Sequence, residues 1–406
     1  MRRIGIVGAG QSGLQLGIGL RKAGYEVILV SNQRGEQIRA GRVTSSQCMF
    51  DTALGHEREL GINLWDRTCP GIDAVEFNVA SPQQTKAVAW NARLDAPAMS
   101  VDQRVKMPAW LDELARLGGE VRYQNAGTAE IEALARECDL VVVAAGKGEI
   151  AGLFERDATR SPFKEPMRAL GLTYVKGLRP RADASAVCFN LIPGVGEYFV
   201  FPALTTSGPC EIMVFEGVPG GPMDCWKDVR SPEQHLQVSR EVLRQHVPWE
   251  YERAHEVELT DPNGIVSGRF APTVRKPVAR LPSGSVILGM ADVVCLNDPI
   301  TGQGSNNASK CAAAYLRAIL DAGSQPFDAA WMNATFETYW AYARFVTEWT
   351  NHMLQPPPPH VLALLGAAAF KPEIAHWFAN AFDDPRRYFP RLVDPVAAQQ
   401  FIDSAA

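Results

Sequence analysis

The sequence predicts an α/β protein with an α+β insert: a parallel-sheet domain, a second β-sheet domain threaded through it, and a helical C-terminal region. Three observations carry this. Residues 3–31 read as strand, glycine turn, helix and strand. Asp139-Leu-Val-Val-Val-Ala-Ala-Gly146 is a continuous apolar run ending in small residues, as in a strand buried on both faces. Residues 74–98 and 170–218 partly alternate apolar and polar positions, with turn punctuation at Pro193-Gly194 and Ser207-Gly208, as strands of an antiparallel sheet do.

The opening unit has the spacing of a dinucleotide cradle, Gly8-x-Gly10-x-x-Gly13. Gly8 permits the tight turn, Gly10 leaves room for a pyrophosphate beside the backbone, and Gly13 lets the helix pack closely on the sheet. The helix start then offers unpaired N–H groups and a positive dipole end to an anion. The acidic residue that usually holds a ribose is replaced by Ser31 and Asn32 at the end of the second strand, and Asn32 can still exchange a hydrogen bond with a ribose hydroxyl.

A chain of 406 residues has room for two joined domains. Its formal net charge of −5 argues against nucleic acid as a partner. No targeting or spanning segment appears, so the cytoplasm, away from membranes, is the default. The 8 cysteines are scattered without a C-x-x-C pair or metal-ligand spacing, so no metal is expected. The missing cysteine pair and missing second glycine fingerprint also exclude the pyridine-nucleotide disulfide reductases.

Along the chain, residues 33–47 form an Arg-, Gly-, Ser- and Gln-rich loop that can run beside a cofactor. Arg42 in it either neutralises pyrophosphate, contacts a flavin ring or is a solvated surface residue. Residues 102–117 have helical spacing stopped by Gly118-Gly119, and 121–123, 131–136 and 232–245 read as strand, helix and helix. At Gly146 backbone can pass close to the nucleotide. Residues 285–292 read as a strand delivering Asp292 to the nucleotide crevice. Asp298-Pro-Ile-Thr-Gly-Gln-Gly304 then opens a helix whose start, at Gly302 and Gly304, points to the same place. The region from 329 reads as helical packing, with Pro356 to Pro359 a rigid extended connector.

Taken together, Gly8-x-Gly10-x-x-Gly13, Asp102-Gln-Arg104, the Asp139 to Lys147 run, Ser161-Pro-Phe163, Gly289-x-x-Asp292, Asp298 to Gly304 and Trp349-Thr-Asn351 resemble the oxygenase component of styrene and indole monooxygenases. The resemblance spans essentially the whole chain. It implies the p-hydroxybenzoate hydroxylase fold, with a Rossmann-like FAD domain at 1–70, 100–160 and 280–325, a substrate sheet domain at 71–99 and 161–279, and C-terminal helices at 326–406. It further implies that Gly8, Gly10 and Gly13 hold the FAD pyrophosphate with Arg104 nearby. Asp292 would bind the ribityl or pyrophosphate region, and Gly302, Gln303 and Gly304 would border the isoalloxazine. Ser45 and Pro299 to Gly302 are the expected catalytic surroundings. The strand ending Ala145-Gly146-Lys147 lacks the Asp-Gly signature of single-component hydroxylases, in agreement with a separate NADH-dependent flavin reductase supplying reduced FAD.

In this family the segment after Arg42 separates substrate types, and Ser45, Gln47 and Met49 resemble the indole-preferring pattern, as do Ile72, Val75 and Ala98. The implied reaction uses O2 and a flavin C4a-(hydro)peroxide to epoxidise the C2–C3 bond of indole or a styrene-like vinyl arene. No His–Asp or Cys–His constellation stands out, as expected where the cofactor carries the hard step. A single-component NAD(P)H-dependent hydroxylase and a non-catalytic flavin-binding redox sensor are the alternatives. A homodimer is left open.

Overall fold

The computed structural model describes residues 2–146 and 149–406; Lys147 lies outside them. Among the described residues one six-stranded sheet has the order Val278–Arg280, Val286–Gly289, Leu140–Val143, Arg3–Val7, Glu26–Ser31, Glu120–Tyr123. It is parallel except for the edge pair 278–280 with 286–289. Its central strands are apolar on both faces because helices cover both, with Leu140 to Val143 wholly buried. Helix Gln11–Lys22 follows the first strand and packs on helix Gly304–Asp321, where a Cβ on Gly19 would come within 2.5 Å of Leu316.

A nine-stranded sheet includes Gly71–Ala80 and Lys86–Ser100 at one end and Ala169–Lys176, Ala186–Ile192, Gly196–Thr205 and Gly208–Gly217 at its centre. Its pairs are antiparallel except 71–80 with 186–192. Alternation divides its side chains. Phe189, Phe199, Phe201 and Val214 face the C-terminal helices, whereas Cys188, Tyr198, Val200 and Phe215 face helix Pro232–His246. The α/β class with its inserted sheet is therefore the observed one.

Two local features differ from the sequence expectation. The loop 33–47 contains the helix Gly35–Ala40, which buries no residue and so leaves no periodicity to read. The proline run is extended only to Pro358. Pro359 is the first residue of helix Pro359–Ala367, a position where its fixed φ fits and its missing N–H costs nothing.

Candidate active site

Three strands of the parallel sheet end at one crevice, each followed by backbone that only small residues allow. A Cβ on Gly8, whose φ is +118°, would stand 2.8 Å from the Ala145 nitrogen, and one on Gly13 would stand 2.1 Å from the Gly8 carbonyl oxygen. A Cβ on Gly10 would meet nothing within 4 Å. The outer glycines are thus required by the fold, while the middle one borders open space, as a cradle for a ligand must. Helix Gln11–Lys22 starts there without a side-chain cap or an acid in its first turn. At the third strand, a Cβ on Gly146 would come 2.7 Å from that of Asp292. Asp292 is presented by Ala291, which has a φ of +51°, a strained value for a residue with a Cβ.

The second helix start is built from Asp298 onward. The Asp298 carboxylate accepts from the Ile300 N–H at 3.1 Å and caps the turn Pro299–Thr301. Gly302 then adopts a φ of +63°, and helix Gly304–Asp321 begins with neither a side-chain cap nor an acid in its first turn. Cβ atoms on Gly302 or Gly304 would meet nothing within 4 Å. Asn307, in that first turn, is 2% exposed, and both polar atoms of its amide lack a partner within the protein. One turn on, Cys311 accepts from the Ala291 N–H at 3.4 Å, so this face of the helix looks toward the Asp292 turn. Two uncapped helix starts, open glycine cradles, an acid and an orphaned amide fit an elongated dinucleotide.

Beside Pro299, Thr301 and Gly302 lies an apolar pocket. Its other walls are Ser46, Cys48 and Phe50 on one segment and Val187, Phe189, Phe199 and Phe201 on the large sheet. Phe382 closes it from the C-terminal region. The rings hold one another: Phe189 packs against Phe199 at 4.8 Å and Phe382 at 5.0 Å, and Trp349 meets Phe382 edge-on at 5.0 Å. Asn306 ties pocket and helix together, accepting from the Phe50 N–H at 2.9 Å and donating to the Cys48 and Gly302 carbonyls at 2.8 and 3.1 Å.

Comparison with known proteins agrees with this geometry. Residues 146–253 match the family model described as "Styrene monooxygenase A putative substrate binding domain". The whole chain is 29% identical to styrene monooxygenase StyA of Pseudomonas fluorescens, covering 98% of that protein. Over its whole length the chain is thus similar to a styrene monooxygenase. Its fold is shared with a flavoprotein/dehydrogenase from Cytophaga hutchinsonii, with a TM-score of 0.68 at 13% identity over 99% of this chain and 98% of that one. The flavin-dependent halogenase CmlS is also similar, with a TM-score of 0.66 at 14% identity over 99% of this chain and 70% of the other.

The remaining candidate residues fall in distinct places. Ser45, Gln47 and Met49 alternate with the pocket residues, and their side chains make contacts elsewhere. Gln47 donates to the Tyr174 hydroxyl at 3.0 Å, the Ser45 hydroxyl accepts from the Gln103 amide at 3.1 Å, and Met49 sulfur lies 3.3 Å from the Lys106 ammonium; the Tyr174 hydroxyl in turn donates to the Ser45 backbone carbonyl at 2.8 Å. Ile72, Val75 and Ala98 are fully buried in the same apolar cluster as the pocket, but do not line it. Ile300 is buried there too, and Thr301 shares a 2.8 Å hydrogen bond with Thr350. Gln303 donates to the Phe382 carbonyl at 3.0 Å.

Arg104 is 3% exposed and its guanidinium is held within the protein. It bonds Asp102 at 2.9 Å, Asp261 at 2.9 and 3.0 Å, Thr205 at 3.0 Å and the Gly41 carbonyl at 3.3 Å, which uses all of its N–H groups. Asn32 and Arg42 are exposed. Asn307 and the phenylalanine walls are absent from the residues that the motifs point to. The Phe199-Val-Phe201 alternation was the available signal for the latter. For Phe382, in a region read as packing alone, there was none, because its place depends on Gln303 and on the Asp383 bonds to Thr52 at 2.8 and 2.6 Å.

Proposed function

We propose that the chain is the oxygenase half of a two-component system that epoxidises a small aromatic alkene, indole at C2–C3 or a styrene-like vinyl arene, with reduced FAD delivered by a separate NADH-dependent flavin reductase. The observation that carries this reading is the adjacency of a phenylalanine-walled pocket to the uncapped helix start at Gly302 to Gly304. Gly8, Gly10 and Gly13 would hold the pyrophosphate, Asp292 and Asn307 the ribityl side, and Gly302, Gln303 and Gly304 the isoalloxazine edge. When bound, reduced FAD would supply the two electrons that activate O2, one atom of which goes to the substrate while the other leaves as water. The protein's share is orientation and the exclusion of water. The phenylalanine faces orient a flat arene with its double bond toward the Pro299 to Gly302 wall, and the helix start favours negative charge at the isoalloxazine edge.

In this reading the residues 1–70, 100–160 and 280–325 serve FAD, and 71–99 with 161–279 serve the substrate. The C-terminal segment 326–406 adds Phe382. Ser45, Gln47 and Met49 act on substrate choice from behind, by fixing the segment that presents Ser46, Cys48 and Phe50. The cysteines are free thiols, as a reducing cytoplasm keeps them.

Product analysis with purified protein, FAD, NADH and a generic flavin reductase tests the proposal. Epoxide from styrene or indigo from indole, only when the reductase is present, is the expected result. Bleaching of bound FAD by NAD(P)H alone would establish a single-component hydroxylase instead, and absence of product from both arenes would leave a flavin-binding protein without this activity.

A further inference from the structure

Behind the Asp298 turn lies a buried set of carboxyl groups with too few donors. Glu197 and Glu216 stand directly opposite each other on the antiparallel strands Gly196–Thr205 and Gly208–Gly217. Glu197 is spent on Arg168, which it meets through two hydrogen bonds of 2.7 and 2.9 Å. Arg168 directs a further nitrogen at the Met167 and Leu354 carbonyls. Glu216 is 0% exposed, and neither of its oxygens receives a hydrogen bond from any donor; Asp298 is 2% exposed, and its second oxygen is in the same position. The two groups face each other. As two carboxylates they would be two desolvated like charges with no donor between them, an arrangement that costs several kcal/mol in a dry interior on an order-of-magnitude basis. One added proton cures both defects, since a protonated carboxyl becomes a donor to its neighbour.

We propose that Glu216 is a positioning residue: it carries a proton, donates it to the free oxygen of Asp298, and so fixes the capped turn that sets Pro299 to Gly302 against pocket and flavin. The charged groups facing it are Asp298, Glu197 and Arg168. Burial is the largest influence and raises its pKa well above the ordinary carboxyl value, the charges of Asp298 and Glu197 add to this, and Arg168 opposes it. The sign of the pH effect follows. A carboxyl that keeps its proton in the folded state contributes stability below the unfolded value near 4.5, and that stability is lost as pH rises through the folded value. The link to flavin rests on the function proposed above, whereas the proton does not.

The test compares wild type with Glu216→Gln, a neutral donor of the same shape, and Glu216→Leu, which has no donor. Melting temperatures are measured from about pH 5 to about pH 8.5, and oxidised FAD is titrated into each protein. The glutamine variant should gain on wild type by several degrees as pH rises, and bind FAD as wild type does. The leucine variant should lose FAD affinity by at least about tenfold. A melting difference between glutamine variant and wild type that stays constant across pH overturns the proton. A pH-dependent difference with unchanged FAD affinity in a folded leucine variant overturns the positioning role. Should the leucine variant not fold, the glutamine pH profile decides alone. Failure of wild type itself to bind FAD would count against the proposed function and is read separately.

Discussion

At the scale of single residues, the three cradle glycines have separable duties. A side chain at Gly13 collides with the Gly8 carbonyl oxygen, so Gly13→Ala should destabilise the fold by about 1–3 kcal/mol, read as a lowered melting temperature. A side chain at Gly10 enters open space, so Gly10→Val should melt within about 0.5 kcal/mol of wild type. It should nevertheless lose FAD binding in a titration, because the valine occupies the room a pyrophosphate needs. FAD affinity retained by a folded Gly10→Val protein would remove the cradle from the proposed function. The glycine pattern is legible in the sequence because a positive φ and a close backbone approach admit few other residue types. Asn307 is not, since nothing in its local sequence says that its amide ends up buried without a partner.

At the scale of elements, the segment 45–50 shows what alternation reveals and what it withholds. Residues 45, 47 and 49 must share one side and 46, 48 and 50 the other, but which side meets the pocket is set by Asn306, from a helix far along the chain. Phe199→Ala should widen the pocket and reduce the specificity constant for styrene roughly ten- to two-hundred-fold, with less loss for bulkier arenes. Gln47→Val should instead remove the bond to Tyr174 and cost about 1–2 kcal/mol of stability. Comparing kcat/KM for styrene and indole with melting data separates the two sides. A larger change of substrate ratio in Gln47→Val than in Phe199→Ala would show that the residues facing Tyr174 govern selection directly.

Over the whole molecule, the large sheet, the turn at Pro299 to Gly302 and the C-terminal region are needed to complete one pocket, and two buried groups give the molecule's stability opposite pH limbs. His235, stacked 4.6 Å from Trp226, has its pKa pushed down to about 4 by burial, against a smaller opposing backbone hydrogen bond. Below the unfolded value of 6.5 the unfolded chain takes up a proton that the folded imidazole refuses. This stability is therefore intact above that value and lost as pH falls toward about 4, by up to about 3 kcal/mol. His235→Phe keeps the stacking and should flatten the acid limb in thermal melts across pH. A limb of unchanged steepness would place its origin elsewhere. The layers of the molecule are legible from periodicity in the chain. The closing of the pocket by Phe382 is not, because it depends on bonds to Gln303 and Thr52 that join distant segments.

The amide of Asn306 also bears on how economically the reaction spends its reductant. By holding the Phe50 and Cys48 backbone and the Gly302 carbonyl at once, it would, under the proposed function, set the gap between arene and flavin as a single spacer does. If that gap slackens, activated oxygen meets water before it meets the double bond. Asn306→Ala should therefore consume NADH at close to the normal pace while the yield of epoxide per NADH falls and hydrogen peroxide rises in its place, a leak that a peroxide assay run beside product analysis would register.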